Sequence, residues 1–173
     1  MNPTQSVEYI NSLRPSEAFE ALERCCGAHR WVEGMVAARP FSSPQAMFDA
    51  ADRIWKNMGQ HDIHEAFSHH PRIGQDVASL RKKFASTAGW ASQEQAGAAA
   101  ATEETLQGLA QGNRDYEAKF GHIFIVCASG KSAAEMLGLL QARLGNEQEP
   151  ELAVAAEEQR KITRIRLEKL LTP

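Results

Sequence analysis

Apolar side chains recur every three or four positions along most of the chain, the spacing that gathers them on one face of an α-helix. Pro15 suits a first helical position, where its missing N–H would be unpaired anyway. Phe19, Leu22 and Cys26 then share a face, and Gly27 closes the segment. Trp31, Met35 and Ala38 predict a second short helix stopped before Pro40. Ser43-Pro44 is an N-cap followed by proline, opening a helix with Met47, Ala51, Ile54, Trp55 and Met58 inward and Gly59 at its end. His61 to His69 carries Ile63 and Phe67 four apart, and Pro71 ends that helix by pushing the preceding residue out of the α region. Ser92-Gln93-Glu94-Gln95 has capping-box spacing and launches an alanine-rich helix to Ala110. Asn113 caps another that takes in Tyr116 and Phe120. Ser132 to Glu135 opens a helix with Met136, Leu139, Leu140 and Leu144. Pro150 begins the last, whose Leu152, Ala156, Ile162, Ile165 and Leu170 require a buried partner.

One segment breaks the helical rhythm. His122-Ile123-Phe124-Ile125-Val126-Cys127-Ala128, between Gly121 and Gly130, is β-branched and aromatic and would read alone as a buried strand. No second comparable run exists to pair with it. The segment therefore reads as a buried extended stretch whose backbone N–H and C=O groups need partners from side chains or a ligand. With no repeat, low-complexity tract or linker, the pattern predicts an all-α fold: a single-domain multi-helix bundle over residues 1–173, with one buried extended segment at 122–128.

Composition narrows the functional classes. The chain has 173 residues, 43% hydrophobic and 24% charged, enough for one domain with one core. A formal net charge of -3 supplies no basic field for nucleic acid or an anionic membrane surface. Arg160, Lys161, Arg164, Arg166 and Lys169 gather near the end, but Glu157, Glu158 and Glu168 interleave with them, as on a solvated helix face. Three cysteines, Cys25, Cys26 and Cys127, form no C-x-x-C. An odd count without a signal-peptide pattern points to a reducing compartment, and no apolar run is long enough to span a bilayer. The C-terminus lacks a peroxisomal address, which leaves the cytoplasm as the expected location. Trp31, Trp55 and Trp90 read as core, and Cys127 as a small core residue.

Chemistry concentrates in the histidines. Four of the six lie between His61 and His70. They could decorate a solvated helix face. They could ligate a metal, since His61 and His64 share a face and Glu65 or His69 could add a ligand, although H-E-x-x-H is absent and no cysteine partners them. Or one could be catalytic, and His70 is then the best candidate, because the following proline fixes the chain direction at a helix exit. An imidazole titrates near pH ~6.5 and so can take and return a proton at cellular pH. Glu94 is its natural carboxylate partner, in a first helical turn where the macrodipole favours the ionised form; ordinary helix-start decoration accounts for it equally.

Five ordered blocks resemble the 2-oxo-4-hydroxy-4-carboxy-5-ureidoimidazoline (OHCU) decarboxylases. They are Arg39-Pro40-Phe41, His70-Pro71-Arg72-Ile73-Gly74, Ser92-Gln93-Glu94-Gln95, Lys119-Phe120-Gly121-His122-Ile123-Phe124-Ile125-Val126 and Ile162-Thr163-Arg164-Ile165-Arg166-Leu167. The likeness covers nearly the whole chain. It implies an all-helical homodimer that performs the last step of urate breakdown, decarboxylation to (S)-allantoin, on a small-molecule substrate and without cofactor or metal.

The resemblance also implies site residues. His70 and Glu94 would be catalytic. Pro71, Ser92, Gln95, Arg166 and the backbone of Ile123, Phe124, Ile125 and Val126 would contact substrate. Two departures stand out: the family's serine three residues before the glutamate falls on Ala91 here, with Ser92 beside it, and His122 replaces the second phenylalanine of a K-F-G-F block. Arg164, two residues from Arg166 and on another helix face, is the competing arginine. Two other readings stay open at this point: a non-enzymatic helical interaction module, and a metal-dependent helical hydrolase using His61, His64 and Glu65.

Overall fold

The computed structural model describes residues 6–72, 74–88 and 99–172. Among them are nine α-helices and no strand. The chain divides into two compact units. The first comprises Met1–His70, Ile125–Cys127 and Ala156–Pro173, and the second Pro71–Phe124 and Ala128–Ala155. No helix is long and apolar enough to cross a membrane among the described residues.

The first unit holds α1 (Glu8–Ser12), α2 (Pro15–Glu23), α3 (His29–Ala37), α4 (Pro44–Lys56) and α5 (Gln60–Ser68), together with the later part of α9 (Gln148–Leu170). Each start has a local cause. Ser6 Oγ accepts from the Glu8 N–H at 3.1 Å. Pro15 opens α2, where the Glu17 carboxylate reaches back to the Arg14 N–H at 3.0 Å. Ser43 Oγ accepts from the Ala46 N–H at 3.1 Å, with Pro44 at the first helical position. Asp62 accepts from the Gly59 N–H at 3.1 Å and from Arg30 at 2.9 Å. Ile10, Leu22, Trp31, Val32, Met35, Met47 and Leu167 are fully buried and form the core. Trp31 and Trp55 each find a carbonyl for the indole N–H, Ala51 O at 3.1 Å and Ala156 O at 3.0 Å. The latter bond ties α4 to α9.

Arg39-Pro40-Phe41 proves architectural. Arg39 Nη1 donates to Ile10 O and Leu13 O, both at 2.8 Å, so it satisfies carbonyls at the end of α1. Phe41 exchanges two 2.8 Å hydrogen bonds with the Asn11 amide.

The second unit contains α6 (Val77–Ala88), α7 (Ala99–Phe120), α8 (Ala133–Leu144) and the start of α9. Leu80, Leu106, Leu109, Ala110, Tyr116, Met136 and Leu140 bury its apolar faces. At its centre the fully buried Glu151 carboxylate accepts from Tyr116 Oη at 2.5 Å, Arg143 Nε at 2.7 Å and Asn146 Nδ2 at 2.8 Å.

Several boundaries differ from expectation. Asn113 does not begin a helix. It lies inside α7, where its Nδ2 donates to Leu109 O one turn back and to Gly74 O, both at 2.8 Å, so the amide that could have capped is used within the helix. Pro150 is the third residue of α9 rather than its opener, tolerated in a first turn that needs no donor. The helices α1 and α6 were not anticipated. The second is capped by Asp76, whose carboxylate accepts from the N–H groups of Ala78 at 3.1 Å and Ser79 at 3.2 Å. The capping box at Ser92 and Trp90 lie outside the described residues. The helix expected to end at Gly27 ends at Glu23.

Gly27 has a different role. A Cβ built on it would lie 2.2 Å from His69 Cγ, so the missing side chain is what lets the end of α5 approach. By contrast nothing lies within 4 Å of a Cβ on the exposed, helical Gly138. Replacing Gly27 with Ala should destabilise by about 1–3 kcal/mol through overpacking, and replacing Gly138 with Ala should stabilise by about 0.5–1 kcal/mol. Urea unfolding of the two variants checks the opposite signs.

Candidate functional site

His70 leaves α5 just past its C-cap, His69. Its own N–H still bonds Phe67 O at 3.1 Å, so the ring is carried by the last turn of a helix anchored through the buried Phe67. His69 is held in turn, with Nδ1 2.9 Å from Glu65 O and its ring against Gly27. The imidazole of His70 is half-buried. Its Nε2 lies 2.6 Å from Gln159 Oε1 on α9.

The electrostatics favour the neutral ring. Burial pushes the His70 pKa below its ordinary value. The Gln159 hydrogen bond opposes that shift, while the positive charges of Arg166 and His69 add to it. Arg166 therefore bears on His70, and its guanidinium also reaches Cys25 O at 3.4 Å. Arg164 is committed elsewhere, with Nε 3.1 Å from Glu168 and its guanidinium stacked 3.8 Å over the Phe48 ring. Of the two arginines, only Arg166 shares the surroundings of His70.

The extended stretch splits between the units. In the first, Ile125 and Cys127 are buried and Val126 is half-buried. The Cys127 N–H donates to Glu158 Oε2 at 2.7 Å, so one backbone group of this irregular segment has a side-chain partner, as its burial demands. In the second, Ile123 O is 2.9 Å from His122 Nδ1. The Phe124 ring lies 5.2 Å from Tyr116 and under the Arg143 guanidinium at 4.5 Å. His122 is buried, its ring 5.5 Å from Tyr116, so it fills the aromatic cluster at the end of α7. Pro71 is exposed. Ser92, Glu94 and Gln95 lie outside the described residues.

Other expectations resolve simply. Glu65 spends a carboxylate oxygen on the His29 N–H at 2.5 Å, capping α3, and the His64 ring packs edge-on to Phe67 at 6.0 Å. No three His, Cys, Asp or Glu side chains form a metal-binding group among the described residues. The Cys25 and Cys26 thiols are buried and pushed up to about 11, which keeps them protonated.

Three residues escaped the sequence reading. Glu158 is not plain solvated decoration: its side chain is 17% exposed and holds the extended stretch. Gln159 is fully buried and Thr163 nearly so. The signal for the last two was spacing, because 159, 163 and 166 follow an i, i+4, i+7 pattern that puts them on one helical stripe. Two uncharged polar side chains on the stripe of a candidate arginine mark a built environment.

Comparison with known proteins agrees with this picture. The family model described as OHCU decarboxylase matches residues 11–168. The "Uric acid degradation bifunctional protein TTL" of Arabidopsis thaliana is 39% identical over 149 residues, 86% of this chain and 45% of that protein. The "Uric acid degradation bifunctional protein PucL" of Bacillus subtilis is 29% identical over 96% of this chain and 33% of its own length. The chain thus spans less than half of these relatives. A crystal structure of OHCU decarboxylase in the presence of (S)-allantoin aligns with a TM-score of 0.68 and 39% identity, covering 86% of this chain and 95% of that one. A crystal structure of (S)-allantoin synthase, 18% identical with a TM-score of 0.67, covers 94% of this chain and 52% of its own, and shares the fold.

A group whose folded pKa is lowered must shed its proton on folding. Stability from His70 is therefore complete above its unfolded value near pH ~6.5 and is lost as pH falls towards the lowered folded value. The unfolding free energy of the wild type should fall relative to that of His70→Asn between pH ~7.5 and ~5.5. Urea titrations at each pH test this; a difference flat with pH would refute it.

Proposed function

Because the chain belongs to the OHCU decarboxylase family, we propose that it decarboxylates 2-oxo-4-hydroxy-4-carboxy-5-ureidoimidazoline to (S)-allantoin in urate degradation, without a cofactor and with His70 as general base. The observation that carries the reading is the setting of His70: a half-buried ring at a helix end, its Nε2 2.6 Å from Gln159 Oε1, with burial and the charge of Arg166 both favouring its neutral form.

The reaction sets the tasks. The bond to the carboxylate breaks and releases CO2, and its electron pair forms a double bond to the neighbouring ring carbon while the imine pair moves onto nitrogen, which takes up a proton from solvent. The adjacent hydroxyl gives up its proton as its oxygen becomes a carbonyl, and the carbon–carbon double-bond pair takes a proton on one face of that neighbouring ring carbon. A neutral imidazole can accept the hydroxyl proton and return it; an imidazolium cannot begin. Arg166, with its planar fork, is suited to grip a carboxylate or carbonyl. Glu94 we assign to stabilising the imidazolium once it forms. Gln95 has an amide that both donates and accepts, matched to a ureido group. These two, with Pro71, Ser92, Ile123, Phe124, Ile125 and Val126 as substrate contacts, rest on family likeness, as does assembly into a homodimer.

The direct assay supplies freshly generated urate-oxidation product and follows CO2 release together with circular dichroism of the allantoin formed. The protein should accelerate release and yield one hand of product; no acceleration and no handedness would refute the activity. General acid–base assistance contributes roughly 10²–10⁴-fold, so His70→Ala should lower turnover by at least ~100-fold while far-ultraviolet dichroism stays unchanged. Turnover within a few-fold of wild type would remove His70 from the base role. Arg166→Lys should raise KM, because an ammonium cannot reproduce bidentate contact. An effect from Arg164→Ala alone would move the substrate grip to the neighbouring helix face.

A further inference from the structure

Gln159 has 0% exposure, and the mechanism above gives it no task. Its carboxamide sits between two polar side chains. Oε1 lies 2.6 Å from His70 Nε2, and Nε2 lies 3.1 Å from Thr163 Oγ1, one turn further along α9. Thr163, 6% exposed, is thus the acceptor for the Gln159 amide N–H. A hydroxyl oxygen has lone pairs to accept that N–H. That arrangement turns the amide carbonyl toward the imidazole, and a carbonyl can only accept.

We propose that Gln159 is a positioning residue for the decarboxylation: braced by Thr163, it accepts the Nε2–H of His70 and so fixes the ring as the tautomer whose basic nitrogen is Nδ1. The inference rests on the reading of His70 as general base and adds which nitrogen acts. The choice of amide over carboxylate matters. A carboxylate at 2.6 Å would stabilise the imidazolium and hold the ring protonated, whereas a neutral acceptor orients the ring and leaves it free to take a proton. The charges bearing on the ring work in the same direction, Arg166 from α9 and His69 from its own segment each opposing a second positive charge beside them. One stripe of α9 therefore supplies the orienter, its brace and the substrate-gripping cation at positions 159, 163 and 166.

The test uses Gln159→Glu, nearly isosteric but acidic, and compares pH profiles of kcat/KM. The acid limb should move up by about one pH unit or more, with activity at pH 7 depressed several-fold and regained at higher pH. A profile lowered uniformly, with its acid limb in place, would reduce Gln159 to a structural role and overturn the proposal. Since a buried glutamate could unfold the protein, a second measurement uses the wild type: nitrogen-15 NMR of the His70 ring above its titration range. Nε2 should carry the hydrogen and Nδ1 the lone pair; the opposite tautomer overturns the proposal. Failure of the base reading looks different, because His70→Ala would then retain turnover whatever tautomer the ring adopts.

Discussion

A base buried in protein must be kept neutral and pointed, and these two demands pull against each other. A carboxylate points an imidazole well but charges it. On the roles proposed for His70 and Gln159, the first unit meets both demands with an uncharged acceptor, the Gln159 carbonyl, in surroundings that disfavour the imidazolium. Everything about the placement of His70 follows from making that one 2.6 Å contact. The end of α5 must be fixed, which requires the close approach of His69 to Gly27. The later part of α9 must be fixed too, which the Trp55 bond to Ala156 O and the Arg166 contact with Cys25 O accomplish.

The second unit solves the opposite problem. Its Glu151 is charged and fully buried, and accepts hydrogen bonds from a tyrosine, an arginine and an asparagine. A buried carboxylate with that many donors stays ionised despite desolvation, and its pKa is accordingly held down. The cost of burying such a pair is high, and its return is geometric: α7, α8 and the first turn of α9 are pinned to one another by bonds that tolerate little slack. Arg143 then lends its other face to the Phe124 ring. Charge thus serves as a structural fastener in one unit, and its exclusion serves the chemistry proposed for the other.

Much of this was legible from residue spacing. The helices that carry a clear apolar stripe and a start or stop signal, α2, α4, α5 and α8, were readable because two independent signals agreed at each. The short α1 has one buried anchor, Ile10, and too few turns to show a period. Asn113 misled because residues that cap helices also serve inside them when their side chains find a carbonyl, and that is a tertiary fact. His70 was readable because proline after it restricts the chain. Its described partner was harder to read, because Gln159 is 89 residues away in sequence and only its spacing to positions 163 and 166 marks it. The carboxylate partner expected at Glu94 falls outside the described residues, so the pairing of 70 with 94 stays a proposal from family likeness.

The family blocks divide into two kinds once their contacts are seen. Arg39-Pro40-Phe41 and Lys119-Phe120-Gly121 are fasteners: Arg39 ties off α1, and Lys119 Nζ donates to Leu144 O at 2.6 Å. Arg72 likewise pairs with Glu117 on α7 at 2.6 Å. His70 and Arg166 are different, since their described contacts leave ring nitrogen and guanidinium donors uncommitted by charge pairing. Ordered likeness along a chain therefore reports fold and chemistry together. What separates them is whether a polar side chain's bonding capacity is spent on its own backbone and neighbours or held in reserve. By that criterion the late block splits within itself, because Arg164 is spent on Glu168 and Phe48 while the described bonding of Arg166, two residues on, is one 3.4 Å contact with Cys25 O.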